Sequence, residues 1–143
     1  MKLRLVSVGK ERGGLFDAAI DEYAGRVRRF ADLDLVELRA GEPRREAEAI
    51  LDMRRGKLWA LDERGQELTS RELALRLGRL RDSAQGLTLA IGGDEGLEKP
   101  VRDAADFVWS LGKLTLPHRL ARVVVLEQLY RAFEILRGGP YHK

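Results

Sequence analysis

The sequence has no cysteine and only two histidines, His118 and His142. The first absence excludes disulfide bonds, thiolate zinc sites and a cysteine nucleophile. With so few imidazoles we predict no metal site. No apolar run approaches the roughly 20 residues of a membrane-spanning helix, and charges interrupt the apolar N-terminal stretch, which argues against a signal peptide. We therefore expect a cytoplasmic protein.

The length of 143 residues and the hydrophobic fraction of 44% predict one globular domain over residues 1–143. The charges are unevenly distributed. Residues 1–30 carry seven Lys or Arg against four acids, and residues 113–143 carry six against two, whereas the segment between them is acidic. A polyanion that contacts the two terminal segments would suit this pattern, and so would an ordinary solvated surface.

Apolar patterning predicts strands alternating with helices along the whole chain. The predicted strands are 2–8, 34–38, 57–61, 87–91 and 107–110, with a turn at 62–65. The predicted helices open at Gly13-Gly14, at Pro43, after a cap at Ser70 and near Pro100, and the last covers 119–136. This order predicts an α/β protein with a mainly parallel sheet. Ligands of such sheets bind beyond the carboxyl ends of strands, here after Leu61, Ile91 and Trp109.

Three glycines, Gly92, Gly93 and Gly96, follow the apolar strand 87–91. Glycine permits positive φ and lets a ligand approach the backbone closely. The spacing matches neither a P-loop nor a dinucleotide fingerprint. Two interpretations stay open, a tight turn between strand and helix or a ligand-binding loop.

The last helix is apolar on more than one side, as Leu120, Val124 and Phe133 illustrate. A surface helix of a small monomer needs one apolar stripe, so we expect a second partner, most simply an identical subunit. Glu127 and Arg131 have the spacing of a helix ion pair. The tail 141–143 combines an aromatic ring, an imidazole and a cation, which are groups that stack on bases and hold phosphate. A frayed terminus is the alternative.

Three segments carry a resemblance to a known family. They are IGGDEGL at 91–97, LTLPHRLARVVVLEQLYRAFEILRGG at 114–139 and PYHK at 140–143. Together with KLRLVSVGK at 2–10, they are similar to the RlmH family of SPOUT-class enzymes, the 23S ribosomal RNA pseudouridine N3-methyltransferases. The resemblance implies a SPOUT fold with a C-terminal trefoil knot, a homodimer, and S-adenosyl-L-methionine held by three loops. The residues it assigns to the cofactor are Leu61, Gly92, Gly93, Leu111, Gly112, Lys113, Leu114, Thr115 and Leu116.

The implied reaction requires the N3 imide of pseudouridine to lose its proton before or during methyl transfer. A cation near the base would stabilise the developing negative charge, and we assign this role to Arg122, with His118 as the alternative. His142 or Glu127 would accept the proton. The simpler interpretations are that His118 only turns the chain after Pro117 and that Glu127 only pairs with its neighbour. Tyr141, His142 and Lys143 are the candidate RNA-binding residues.

Two positions depart from the family pattern. Asp94 stands where a proline or small residue is common, and Gly112 replaces a frequent serine, so cofactor affinity could differ. We further expect the tail of one subunit to close over the cofactor of the other, and the assembled ribosome to be the substrate. The alternatives are a SPOUT methyltransferase acting on transfer RNA and a non-catalytic, ribosome-associated RNA-binding dimer.

Overall fold

The computed structural model of the chain describes residues 1–9 and 14–143. Strands and helices alternate throughout: β1 (Lys2–Val8), α1 (Asp17–Val27), β2 (Asp32–Leu38), α2 (Pro43–Asp52), β3 (Lys57–Glu67), α3 (Ser70–Asp82), β4 (Leu87–Ile91), α4 (Lys99–Ala104), β5 (Phe107–Ser110) and α5 (His118–Leu136). Most predicted elements are confirmed with ends shifted by a few residues. The predicted opening of the first helix at Gly13 lies outside the described residues, and α1 begins at Asp17.

The five strands form one sheet in the order β2-β1-β4-β3-β5, and every pair is parallel. The predicted α/β class with a parallel sheet is therefore confirmed. Parallel sheets are covered on both faces and their strands are apolar throughout. β4 shows this best, because all five of its residues are buried.

Helices cover the two faces of the sheet unequally. Leu3 and Leu5 belong to a core that includes side chains of α1, α3 and α5, whereas Val6 and Val8 belong to a smaller core with α2 and α4. The alternation of side chains along a strand separates these two sets. α5 contacts both α1 and α3, which accounts for much of its apolar surface. Its residues Leu120, Val123 and Val124 nonetheless remain partly exposed.

The predicted turn at 62–65 is wrong in one respect, because strand pairing resumes after it. Leu61 pairs with Trp109 of β5, and so does Gln66, so the four residues between them bulge out of the ladder. Gly65 makes the return possible. A Cβ at that position would collide with the backbone carbonyl of Val108. The bulge places Asp62 and Glu63 beside the ends of the neighbouring strands.

The cap predicted at Ser70 is also wrong by one residue. Thr69 is the N-cap of α3: its hydroxyl accepts from the backbone N–H of Glu72 at 3.1 Å, and the Glu72 carboxylate accepts from the N–H of Thr69 at 3.3 Å. This reciprocal pair is a capping box. Ser70 is the first helical residue, and its hydroxyl donates to Gln128 Oε1 of α5 at 2.6 Å.

The C-terminal end of α5 is as predicted, because Gly138 adopts φ of +74° and stops the helix.

No helix in the described part of the chain is both long and apolar enough to cross a membrane.

Candidate functional site

A cavity of about 320 Å³ opens beside the bulge of β3 and beyond the ends of β4 and β5. This is the edge of the sheet at which ligands of parallel folds bind. The cavity gathers eight of the nine residues predicted for the cofactor. They are Leu61, Gly92, Gly93, Leu111, Gly112, Leu114, Thr115 and Leu116. Lys113 is exposed and does not line the cavity.

The glycine loop forms one wall of this cavity and is folded back on itself. The N–H of Gly96 donates to the carbonyl of Gly93 at 3.0 Å, and Gly96 adopts φ of +78°. A Cβ on Gly92 would collide with the backbone of Gly96, so only glycine suits that position. The segment is therefore a tight turn that also lines a ligand-sized space, and its role as a ligand-binding loop stays a prediction.

The loop after β5 forms a second wall. The Ser110 hydroxyl accepts from the N–H of Gly112 at 3.1 Å and donates to its carbonyl at 2.9 Å, which holds the start of the loop. Gly112 has φ of +140°, a value that favours glycine over any residue with a Cβ. Further along, the Thr115 hydroxyl donates to Glu63 at 3.2 Å. This contact joins the loop to the bulge of β3.

His118 closes the cavity from the start of α5. Its Nδ1 lies 3.2 Å from Asp94 Oδ1 in the glycine loop, so the unusual aspartate faces the only predicted catalytic residue that lines the cavity. Its Nε2 is buried against Gly9, where an added Cβ would lie 3.1 Å away. Gly9 has φ of +102°. His118 therefore does more than turn the chain, because it connects α5 with β1 and with the glycine loop.

Arg122 lies one turn further along α5 and is only 7% exposed. Its Nη1 is 3.4 Å from Glu37 Oε1 at the end of β2, and its Nε has no hydrogen-bond partner among the described residues. Ser7, which pairs with Glu37 in the sheet, is buried as well. A buried guanidinium with one distant carboxylate carries an uncompensated desolvation cost. Such costs are typical of residues retained for function.

Glu37 and Ser7 were not identified from the sequence as candidate site residues, although the pattern of apolar and polar residues in their strands indicates them. Leu3 and Leu5 point towards α5, and the next residue on that face of β1 is Ser7. In β2, Leu33 and Leu35 are likewise followed by Glu37. A polar residue that ends an apolar face at the carboxyl edge of a sheet marks a candidate site.

Glu127 is fully engaged by its neighbours. Its Oε1 accepts from Arg131 Nε and Nη2 at 3.0 and 2.6 Å and from the Tyr141 hydroxyl at 3.0 Å. Its Oε2 accepts from Gln128 Nε2 at 2.7 Å. The predicted ion pair with Arg131 is confirmed. The hydrogen bonds that Arg131 donates to Glu127 are also the main cause of the raised pKa of Arg131.

The C-terminal tail is packed against α5 rather than frayed. The Tyr141 ring lies edge-on to Tyr130 with the centroids 4.6 Å apart, and Arg131 lies over it at 4.8 Å. Burial, followed by the hydrogen bond to Glu127, raises the pKa of Tyr141 to about 12. His142 Nδ1 is 3.1 Å from Arg131 Nη1. We call Glu127, Arg131, Tyr141 and His142 the tail cluster.

The tail cluster and the cavity are separate within one chain. Glu127 follows His118 by nine residues on the same helix, a distance of about 14 Å along the axis at 1.5 Å per residue. His118 lines the cavity and Arg122 lies beside it, whereas the tail cluster does not reach it. In the part of the chain that the structure describes, no three His, Cys, Asp or Glu side chains form a group that could hold a metal ion.

Comparisons with known proteins agree with this geometry. The family model described as "Predicted SPOUT methyltransferase" matches residues 1–142. The protein named ribosomal RNA large subunit methyltransferase H from Anaeromyxobacter sp. (strain Fw109-5) is 46% identical over 153 residues, covering 100% of both chains. The protein of the same name from Geobacter sulfurreducens is also 46% identical, covering 99% of each chain.

Solved structures share the fold at low sequence identity. The SpoU methyltransferase AviRb from Streptomyces viridochromogenes, in complex with AdoMet, matches with a TM-score of 0.54 at 16% identity, over 97% of this chain and 59% of that one. A probable methylase family protein from Haemophilus influenzae Rd KW20 matches with a TM-score of 0.59 at 12% identity, over 99% of this chain and 70% of that one. The sheet, the strand-end cavity and the full-length relatives lead to one conclusion: the chain belongs to the SPOUT methyltransferase family.

Proposed function

We propose that this protein transfers a methyl group from S-adenosyl-L-methionine to N3 of a pseudouridine in 23S ribosomal RNA. The observation that carries the proposal is the strand-end cavity, walled by three loops, in a chain that aligns end to end with proteins named ribosomal RNA large subunit methyltransferase H. The proposed unit is a single SPOUT domain over residues 1–143. A trefoil knot formed by its C-terminal part remains a prediction.

The residues of the cavity suit this methyl donor. Its volume lies within the range of small-molecule sites, which is about 300–1,000 Å³. Leu61, Ile91 and Leu116 supply apolar surface for an adenine ring, and the backbone of Gly92 and Gly93, which lines the cavity, can hydrogen-bond polar edges. When bound, the cofactor supplies an electrophilic methyl group on a sulfonium. The loops orient it, and orientation is a large part of catalysis when two reactants must be aligned.

Arg122 is the cation that we assign to the developing charge on the base. Its burial places the guanidinium in a medium of low polarity, where an interaction with an imidate oxygen is stronger than in water. Glu37 holds Nη1 at 3.4 Å, and the buried Nε has no partner within the described residues. His118 is closer to the cavity and stays the alternative.

The hydrogen bonds of the two candidate proton acceptors favour His142 over Glu127. Four hydrogen bonds occupy both oxygens of Glu127, so this carboxylate is committed to the tail cluster. The hydrogen bond that Arg131 Nη1 donates to His142 Nδ1 has to break before that nitrogen can accept a proton, and it is one bond against the four at Glu127. Imidazole is also the side chain that most often serves in proton transfer. We therefore assign the proton transfer to His142 and a positioning role to Glu127.

We infer that the active form is a homodimer in which the tail of one subunit reaches the cavity of the other. The tail cluster is about 14 Å along α5 from His118 of its own chain, so the two groups need a second copy or a large movement of the tail to meet. The partly exposed apolar residues of α5, Leu120, Val123 and Val124, offer a surface for such a copy.

Deleting residues 140–143 tests the tail. The deletion should spare binding of the methyl donor and abolish transfer, because the cavity does not include these residues. Mixed dimers test the crossing: one subunit lacks the tail, and the other carries Gly92→Ala. If the tail serves the neighbouring site, such a dimer keeps one intact site, whereas dimers with both changes in one subunit and none in the other have none. Full activity of the tail-deleted homodimer would disprove the tail's role.

The main experiment measures transfer of labelled methyl from S-adenosylmethionine to ribosomes from a strain that lacks this protein. Label in N3-methylpseudouridine of the large-subunit RNA is the expected result, with little on protein-free RNA because we expect recognition to depend on the shape of the assembled ribosome. Label on transfer RNA would favour the second enzyme class. Donor binding without any label would leave the non-catalytic ribosome-associated factor as the better description.

A further inference from the structure

Arg102 lies behind the cavity wall and connects the glycine loop to the bulge of β3. Its Nη1 donates to the carbonyl of Leu97, the last residue of that loop, at 2.6 Å. The same nitrogen lies 3.7 Å from Asp62 Oδ2 in the bulge of β3. Arg102 belongs to the short helix α4 and does not itself line the cavity, whereas Asp62 and Leu97 both do.

Within the described residues, this contact is the most protected of three side-chain contacts that hold the cavity loops in place. The side chains of Asp62 and Arg102 are 8% and 20% exposed. The other two contacts, Glu63 with Thr115 and Asp94 with His118, each include at least one exposed residue. Because water screens exposed charges and competes for their hydrogen bonds, the exposed contacts contribute little to fixing the loops.

The glycine loop needs such a tether because its own backbone constrains it weakly. Glycine has more conformational freedom than any other residue, and Gly92, Gly93 and Gly96 lie within five positions. One internal hydrogen bond, from Gly96 to Gly93, closes the turn. The planar guanidinium of Arg102 can serve a carbonyl and a carboxylate together, which a single ammonium does less well.

We propose that Arg102 is a positioning residue for the methyl-donor site: by holding the Leu97 carbonyl beside Asp62, it fixes the glycine loop in its ligand-binding form. This inference rests on the proposed function, because it takes the cavity to be the donor site.

Arg54 offers a matched control at the opposite edge of the sheet. Its Nη1 donates to the carbonyl of Ala104 at 3.1 Å, and its Nη2 lies 2.6 Å from Asp106 Oδ2. It therefore also joins a backbone carbonyl to a carboxylate, with a further bond from Nε to the Gly56 carbonyl at 3.1 Å, and its side chain is 34% exposed against 20% for Arg102. Arg54→Met removes a tether at the C-terminal end of α4, away from the residues that line the cavity, so it reports the effect of loosening α4 itself.

The test compares Arg102→Met, Arg102→Lys and Arg54→Met in the full-length protein. Hydrogen exchange of the amides of Gly93, Asp94 and Gly96 is measured without ligand, and the Kd for S-adenosylmethionine is measured by calorimetry. We expect Arg102→Met to speed exchange and to raise Kd, each by about tenfold, the effect of losing roughly one hydrogen bond to a charged group. Arg102→Lys should lie between Arg102→Met and wild type, and Arg54→Met should change neither quantity.

A double-mutant cycle with Asp62→Asn identifies the partner. If the carboxylate acts through Arg102, the double variant should be no worse than Arg102→Met alone. Unchanged loop exchange and Kd in Arg102→Met, or equal changes in Arg54→Met, would overturn the proposal. A wild-type protein that binds no S-adenosylmethionine would instead contradict the proposed function, and the ligand-free exchange comparison would still decide the role of Arg102.

Discussion

The Tyr141 hydroxyl donates a 3.0 Å hydrogen bond to Glu127 Oε1, so the C-terminal tail is held on the helix of its own chain. The same carboxylate oxygen accepts hydrogen bonds from Nε and Nη2 of Arg131. The residues proposed to act on RNA are therefore preorganised as a unit, in which the helix supplies the acceptor and the cation and the tail supplies the ring and the imidazole. Preorganisation of this kind lowers the entropy cost of binding.

The alkaline titration of Tyr141 tests this docking. Its folded pKa of about 12 lies above the ordinary value of 10, so folding favours the neutral phenol. The stabilisation is complete below about pH 10, and it is lost as the pH rises from about 10 to 12, because the unfolded chain ionises first. Absorbance at 295 nm should show that the transition removed by Tyr141→Phe is centred near pH 12. If Tyr141→Phe instead removed a transition centred near pH 10, the tail would be undocked in solution.

Gly92→Ala tests the tight turn of the glycine loop. An added methyl group collides with the backbone of Gly96, so the loop must move. We expect a loss of about 1–3 kcal/mol in the free energy of unfolding, as for other overpacked sites, together with loss of S-adenosylmethionine binding. The matched control is Gly25→Ala in α1, where a Cβ meets nothing within 4 Å. That change should stabilise the helix by about 0.5–1 kcal/mol and leave binding intact. Wild-type stability and affinity in Gly92→Ala would refute the steric argument.

The elements that could be predicted from sequence are those whose burial pattern repeats locally. β4 is apolar at every position, and α5 has a helical period and a glycine stop, so both were predicted nearly to the residue. The three cavity loops followed from the rule for parallel sheets combined with the family resemblance. The bulge of β3 could not be predicted, because it depends on Gly65 meeting Val108, which is 43 positions away in sequence.

Contacts between distant segments were the other part that sequence reasoning missed. Asp94 with His118, Glu37 with Arg122 and Asp62 with Arg102 each join two elements whose relative position depends on the complete sheet order. No local period reports such pairs. The one available signal was the polar end of an otherwise apolar strand face, at Ser7 and Glu37.

Arg122→Met tests the assignment of the charge-stabilising cation. If the guanidinium contacts the base in the transition state, kcat should fall by about a hundredfold or more, as when one donor of an oxyanion site is removed. The Kd for S-adenosylmethionine should stay within about twofold, because Arg122 does not line the cavity. Arg122→Lys restores the charge without the fork and should recover part of the rate.

Stability separates this role from a structural one. A buried arginine with one distant carboxylate gives little net stabilisation, and an apolar replacement of similar length is often neutral or stabilising. We therefore expect Arg122→Met to keep or raise the melting temperature while transfer is lost. A large fall in melting temperature with an unchanged kcat would show that Arg122 supports the fold instead. His118→Asn would then be the next variant to measure.

Thr69→Ala tests the corrected start of α3. The Thr69 hydroxyl accepts from the N–H of Glu72, and loss of an N-cap of this kind costs about 1 kcal/mol in the free energy of unfolding. Thr69→Ser keeps the acceptor and should be close to wild type. Ser70→Ala distinguishes the contribution of the cap from that of the contact with α5, because it removes only the hydrogen bond to Gln128 and leaves the cap. Urea denaturation of the three variants is the measurement. If Ser70→Ala were the more destabilising of the two alanine variants, the contact between α3 and α5 would contribute more than the cap to the free energy of unfolding.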